Sequence, residues 1–166
     1  MKVLVTYQSQ TGNTKKVAEA IYGEIKGQKE IKELKELKGL EGYDLYFVGF
    51  PIQAFGPAHQ AKIFLEEHAA GKNLVLFITH ASPEDEELLP QWLDACQVAA
   101  VGANIVGIFN CRGELDEKVA ELIKSSGDPK LDAWADLRPD TLGQPDAARL
   151  ERARVFTRDI MKNFSN

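Results

Sequence analysis

The sequence has few cysteines and no long apolar run. Only Cys96 and Cys111 occur in 166 residues, which is too few for a disulfide framework and favours reduced thiols. No apolar stretch approaches the ~20 residues of a membrane-spanning helix, so we expect no membrane segment. No charged and then apolar leader precedes the first strand, and we therefore expect a cytoplasmic protein.

The sequence also lacks an excess of positive charge. Its net charge is −5, with +1 in residues 1–83 and −6 in residues 84–166. This balance argues against binding to nucleic acid or to an anionic membrane, and it favours a protein partner with a basic docking face. His59 and His68 have no third ligand at a suitable spacing, so we expect no metal site. No nucleophile elbow is present, and the sequence indicates no catalytic residue.

Strand and helix patterns alternate along the whole chain, which predicts one domain over residues 1–166 with a parallel sheet covered on both faces. Residues 30–35 form a weak strand candidate that could equally be helical. The other segments are assigned more readily. We expect strands at 2–7, 45–50 (ended by Pro51), 74–79 and 104–110, and helices at 15–25, 57–69, 85–100, 114–126 and 145–163, with 130–144 irregular.

A polar loop joins the first strand to the first helix. It contains Ser9, Gln10, Thr11, Gly12, Asn13 and Thr14, with hydroxyl and amide side chains and no carboxylate. Hydroxyl groups and the free N–H groups of a helix N-terminus bind phosphate, and glycine permits a tight backbone. A helix cap would need only one such residue, so the loop favours a phosphate site. It matches neither a Walker A loop nor the GxGxxG pattern.

This loop resembles the phosphate loop of the flavodoxin family, Thr/Ser-x-Thr-Gly-x-Thr, at Ser9, Thr11, Gly12 and Thr14. The resemblance implies FMN as cofactor. It also implies a doubly wound, five-stranded parallel sheet of order 2-1-3-4-5 with the ligand at the switch point. Residues 114–140 then form a helical insertion after or within the fifth strand.

Two further loops follow strands three and four, where the family binds the flavin ring. The first of them contains an aromatic-glycine pair, Phe55-Gly56. The resemblance implies that Phe55 contacts the ring and that a peptide flips beside Gly56, since glycine permits positive φ. The expected ring contacts of the two loops are Pro51, Ile52, Gln53, Ala54, Phe55 and Gly56, then Thr79, His80, Ala81 and Ser82.

The loop after strand four departs from the family. It has no Tyr or Trp before Trp92, so the second face of the ring is expected to be open to a substrate or partner. His80 is either a flavin contact or a structural group. Residues 84–87 are all acidic, which is typical of the first turn of a helix and would also place negative charge on the rim of the cofactor site.

We therefore expect an FMN-binding electron-transfer protein that passes electrons to a redox protein partner. One alternative is an FMN-dependent NAD(P)H:quinone reductase, or an oxidase of the porphyrin-pathway type, on the same fold. No separate nicotinamide motif is present, which weighs against the reductase. A second alternative is an α/β interaction module without flavin.

Overall fold

The computed structural model describes residues 1–164 as a parallel sheet with helices on both faces. Its strands are β1 (Lys2–Tyr7), β2 (Gln28–Glu33), β3 (Leu45–Gln53), β4 (Gly56–Pro57), β5 (Asn73–His80) and β6 (Asn104–Arg112). The order β2-β1-β3-β5-β6 is parallel throughout, and β4 adds an antiparallel pairing to β3. The expected order of five parallel strands is thus confirmed.

Seven α-helices and one 3-10 turn (Leu34–Glu36) accompany the strands within residues 1–164, and four of the helices follow the last strand. The helices are α1 (Asn13–Glu24), α2 (His59–His68), α3 (Leu89–Val98), α4 (Glu117–Ser125), α5 (Pro129–Asp136), α6 (Arg138–Thr141) and α7 (Ala147–Phe164). Side chains of α2 and α3 form the core on one face of the sheet, and those of α1 and α7 form the core on the other. No helix in this part of the chain combines the length and apolar character needed to cross a bilayer.

Strands β1, β3 and β5 form the centre of the sheet because their side chains are apolar on both faces. Gly49 is required at the middle of this sheet. A Cβ atom there would lie 1.9 Å from the Phe77 ring on the neighbouring strand, so only glycine leaves space for that ring. The central strands therefore hold their carboxyl ends, and the loops that follow, in fixed positions.

Several predicted boundaries were wrong. Strand β3 continues through Pro51 to Gln53, and Pro57 lies in β4 instead of opening α2. Helix α3 begins at Leu89, so the acidic residues 84–87 lie in turns before it and not in its first turn. The segment 130–144, expected to be irregular, contains most of α5 and all of α6.

The insertion, residues 114–141, follows β6 and comprises helices α4, α5 and α6. Its two ends are tied together. The Glu114 N–H donates to the Gln144 carbonyl at 3.0 Å, the Leu115 N–H donates to Thr141 Oγ1 at 2.9 Å, and Glu114 Oε2 accepts from the Gly143 N–H at 2.9 Å. These bonds form a base from which the helices extend over the carboxyl ends of the strands.

Candidate functional site

The first loop (residues 9–14) has the backbone geometry of an anion site. Gly12 precedes α1 with φ 95°, and the space beside its Cα is open. Ser9 Oγ accepts from the N–H groups of Gly12 (3.1 Å) and Lys15 (3.3 Å), which fixes the loop and leaves the hydroxyl proton of Ser9 free to donate. Within residues 1–164, the N–H groups of Asn13 and Thr14 have no hydrogen-bond partner. The loop therefore offers several unpaired donors.

Thr14 and Thr79 form a buried hydroxyl pair between the first loop and the end of β5. Their Oγ1 atoms are 2.8 Å apart, and the residues are 1% and 2% exposed. Only one hydroxyl proton lies between the two oxygens, so the other is available to a ligand. The sequence indicated both residues but not their contact, which depends on how α1 packs against the sheet.

The Asn13 side chain is hydrogen-bonded to the insertion. Its Nδ2 donates to the Glu114 carbonyl at 2.8 Å. A Cβ atom on Gly113 would lie 2.5 to 2.9 Å from the Asn13 side chain, so the two segments are in close contact. The amide that the sequence suggested as a phosphate donor thus donates to the backbone of the insertion.

The second loop (residues 51–57) forms a tight hairpin between β3 and β4. Its turn residues are Ala54 (φ 48°) and Phe55 (φ 66°), both in the left-handed region that normally favours glycine. Gly56 lies outside that region, in β4. The positive φ associated with Gly56 from the sequence therefore falls on the two preceding residues. The Gln53 amide reaches the first loop and donates to Gln10 Oε1 at 3.3 Å.

Phe55 packs against two tryptophans, although half of its surface is exposed. The ring centroids lie 5.4 Å from Trp92 of α3 and 5.8 Å from Trp134 of α5, and the two tryptophans are 5.3 Å apart. We call these three residues the aromatic cluster. The sequence did not reveal it, because its members come from three segments distant along the chain.

The third loop (residues 79–82) is organised by a buried histidine. His80 Nδ1 lies 2.9 Å from Ser82 Oγ and 3.1 Å from the Ser82 carbonyl, and Nε2 lies 3.1 Å from Asn110 Oδ1. Burial lowers the pKa of His80, despite hydrogen bonds that favour its charged form. Both ring nitrogens are engaged within the protein, which favours the structural alternative. The Ala81 carbonyl accepts from Arg112 Nε at 3.1 Å.

Glu84, the first residue of the acidic run 84–87, forms ion pairs with arginines of α7. Its carboxylate lies 3.0 Å from Arg149 Nε and 3.0 Å from Arg152 Nη1 on α7, and it also accepts from the Arg112 N–H at 3.3 Å. Burial alone would raise the pKa of Glu84, but these donors and charges lower it. Glu84 therefore joins the third loop to α7.

The three loops and the insertion line one cleft of about 130 Å³ at the carboxyl ends of the strands. Most of the residues expected from the sequence line it, whereas Gly12, Ala54, Phe55, Gly56 and Ser82 are not among its lining residues. The walls contain Ser9, Gln10, Thr11, Asn13, Thr14, Pro51, Ile52, Gln53, Thr79, His80, Ala81, Glu114, Leu115, Asp116 and Val119. The last four belong to the insertion, and sequence reasoning did not indicate them.

The donors in this cleft suit a phosphate group. Hydroxyl and backbone N–H groups surround an open backbone at Gly12, and the nearby carboxylates are already engaged. Glu114 accepts from Gly143, and Asp116 caps α4 by accepting from Lys118 and Val119. Among residues 1–164 no group of His, Cys, Asp and Glu could hold a metal ion. The donors of the cleft therefore suit the phosphate group of an organic ligand.

A family comparison agrees with this geometry. A model of the flavodoxin domain matches residues 4–151. The chain belongs to the flavodoxin family. A curated relative, the flavodoxin-like domain-containing protein BilS of Clostridioides difficile strain CD3, is 30% identical over 171 residues and is matched over 97% of both chains.

Solved flavodoxin structures share the fold. A flavodoxin from the domain Archaea superposes with a TM-score of 0.58 at 16% identity, over 100% of both chains. A flavoprotein from Lactobacillus acidophilus NCFM, in complex with FMN, has a TM-score of 0.50 at 24% identity, over 66% of this chain and 92% of that one. A flavoprotein from Bacteroides uniformis gives 0.53 at 22% identity, over 74% and 97%.

Proposed function

We propose that the protein binds FMN and carries electrons to a redox protein partner. The observation that supports this most directly is the first loop, where unpaired N–H groups and free hydroxyl protons surround Gly12 at the start of α1. Such a site favours a phosphate through both hydrogen bonding and the helix dipole. Membership of the flavodoxin family and the FMN complex of the Lactobacillus acidophilus flavoprotein agree with it.

In this proposal the first loop binds the phosphate. The hydroxyls of Ser9, Thr11 and Thr14 and the N–H groups at the start of α1 donate to it. Pro51 to Gln53 and Thr79 to Ala81 border the remainder of the ligand, because they line the same cleft. When bound, FMN supplies the redox chemistry, and the protein's part is to bind and orient it and to limit its access to water.

The charge of the insertion supports a basic partner. Residues 114–141 contain eight acidic and four basic side chains, so this segment contributes −4 to a net charge of −5. It lies at the entrance to the cleft, since four of its residues form one wall. A negative surface beside the cofactor accelerates encounter with a positively charged protein face.

We propose a cytoplasmic location, and the cysteines support a reducing compartment. Cys96 and Cys111 are free and buried in the cores on opposite faces of the sheet. Burial raises the pKa of each thiol to about 12, so neither is a reactive thiolate at neutral pH.

Absorption spectroscopy of the purified protein tests the cofactor. We expect flavin bands, either as purified or after FMN is added to the apoprotein and the excess is removed. A colourless protein that fails to take up FMN would refute the proposal and favour the interaction module.

Reduction by NAD(P)H alone separates the carrier from the enzyme. A carrier should stay oxidised with NADH or NADPH until a reductase is added. Rapid bleaching of the flavin bands by either nucleotide would favour the quinone-reductase alternative.

A further inference from the structure

The insertion contacts all three loops of the cofactor end. At the first loop, Asn13 Nδ2 donates to the Glu114 carbonyl. At the second loop, Phe55 packs against Trp134. At the third loop, Ala81 packs against an apolar cluster formed by the insertion, separate from the two main cores. The insertion therefore spans the region where the loops converge.

The base, at the two ends of the insertion (residues 113–115 and 141–144), and the tip, formed by helices α4 and α5, are attached to the protein in different ways. At the base, hydrogen bonds join Glu114 and Leu115 to residues 141–144, and Gly113 donates to the His80 carbonyl at 2.7 Å. At the tip, α5 reaches the body of the protein through the Trp134 ring, which rests on Phe55 and Trp92. Helices α4 and α5 also pack more extensively on each other than on the sheet. Within residues 1–164, no hydrogen bond or ion pair joins α4 or α5 to the three loops, so the tip is held by side-chain packing and the base by hydrogen bonds.

The cleft under the insertion is small for its ligand. This open cleft provides about 130 Å³, which is less than the roughly 300 Å³ or more of pockets that bury an organic ligand. Three walls of the cleft follow strands of a close-packed sheet, and the fourth is the insertion. Phe55, the aromatic residue of the second loop, is meanwhile covered in part by the two tryptophans. Movement of the insertion would widen the cleft at its fourth wall and uncover Phe55, the expected ring contact of the second loop.

We propose that the insertion is a lid over the cofactor cleft, held closed by Trp134 against Phe55 and Trp92, and that FMN enters when this aromatic contact opens. The proposal rests on FMN as the ligand. Opening the contact both enlarges the cleft and frees the face of Phe55. The rate of FMN uptake is then limited by opening of the lid and not by diffusion to an open site.

Stopped-flow mixing of apoprotein with FMN tests the lid through the loss of flavin fluorescence. In the wild type, the observed rate should level off as the FMN concentration rises, because opening precedes binding. In Trp134→Ala the plateau should rise at least tenfold or disappear. Leu122→Ala is the matched control, since Leu122 lies on the same insertion with 71% of its surface exposed and lies outside the aromatic cluster. It should behave as the wild type.

Hydrogen exchange of the apoprotein supplies a second measurement that needs no FMN. In Trp134→Ala, amides of α4 and α5 should exchange at least tenfold faster, while those of β1, β3 and β5 keep their protection and show that the variant is folded. Rates linear in FMN concentration for the wild type and unchanged in Trp134→Ala would overturn the lid. If even the wild type binds no FMN, the proposed function fails, and unchanged exchange in Trp134→Ala would then overturn the lid independently.

Discussion

The buried pair of Thr14 and Thr79 makes a quantitative prediction about phosphate binding. Thr14→Val keeps the shape of the side chain and removes the hydroxyl. A hydrogen bond to a charged group contributes about 1.5–3 kcal/mol, so the Kd for FMN should rise about 10- to 150-fold. Riboflavin lacks the phosphate, and its Kd should change little. Both constants are measurable by titration of flavin fluorescence.

The partner hydroxyl refines this prediction. Thr79 supports Thr14 through a neutral hydrogen bond at 2.8 Å, worth about 0.5–1.5 kcal/mol. Thr79→Val should therefore weaken FMN binding by about 2- to 12-fold. Because Thr79 acts through Thr14, the double variant should bind FMN about as well as Thr14→Val alone.

Thr6→Val is the matched control for both changes. The Thr6 hydroxyl is fully buried in β1 and has no hydrogen-bond partner within residues 1–164, so its loss should leave both affinities unchanged. Equal losses of FMN and riboflavin affinity in Thr14→Val would refute the reasoning, since they would show that the hydroxyl supports the fold of the site and not the phosphate.

Three further predictions concern stability and the insertion. Gly49→Ala should destabilise the protein by about 1–3 kcal/mol through overlap with the Phe77 ring, which lowers Tm by about 2–12 °C in calorimetry; Phe77→Leu in the same chain should restore part of the loss. Burial lowers the folded-state pKa of His80 below its ordinary value of 6.5, so the unfolded state binds the proton more readily and stability is lost as the pH falls below about 6.5. When the pH is lowered through this range, the urea midpoint should decrease less in His80→Gln than in the wild type. Gly113→Ala should displace the Asn13 amide and make the insertion more sensitive to limited proteolysis, and Asn13→Ala should have the same effect.

Each of these has an outcome that contradicts it. An unchanged Tm in Gly49→Ala would mean that the strands and the Phe77 ring accommodate the added methyl group with little loss of stability. Identical pH profiles for the wild type and His80→Gln would mean that the histidine is protonated as readily in the folded protein as in the unfolded one. Proteolysis unchanged by Gly113→Ala would show that the insertion is held by its other contacts.

The central sheet could be predicted from the sequence because its strands are continuous apolar runs separated by helical patterns. Pro51 misled the prediction for a physical reason. Proline lacks the N–H that a central strand needs, but the pairing of β3 with β1 ends at Gly49, so Pro51 removes no hydrogen bond between these two strands. The helical segment 130–144 was missed because Pro139 and Gly143 were read as interruptions, whereas Pro139 lies in the first turn of α6, where proline is tolerated.

The polar loop of residues 9–14 could be located from the sequence because its chemistry and its position are both local. Ser9 to Thr14 lie next to one another in sequence, and the end of a strand places them at the switch point. The lid was not predictable, because its contacts depend on tertiary packing. Trp92 and Trp134 belong to different helices, and their patterns indicate core positions and not an association with Phe55.

The joined ends of the insertion have a consequence for how such a protein can change over evolution. Since the Glu114 N–H reaches the Gln144 carbonyl at 3.0 Å, the chain enters and leaves the segment at almost one point. A segment attached in this way can be lengthened, shortened or exchanged without altering the strand order. Replacing residues 115–143 with a short glycine turn should leave the sheet and α7 intact, and this module can therefore change independently of the loop at residues 9–14.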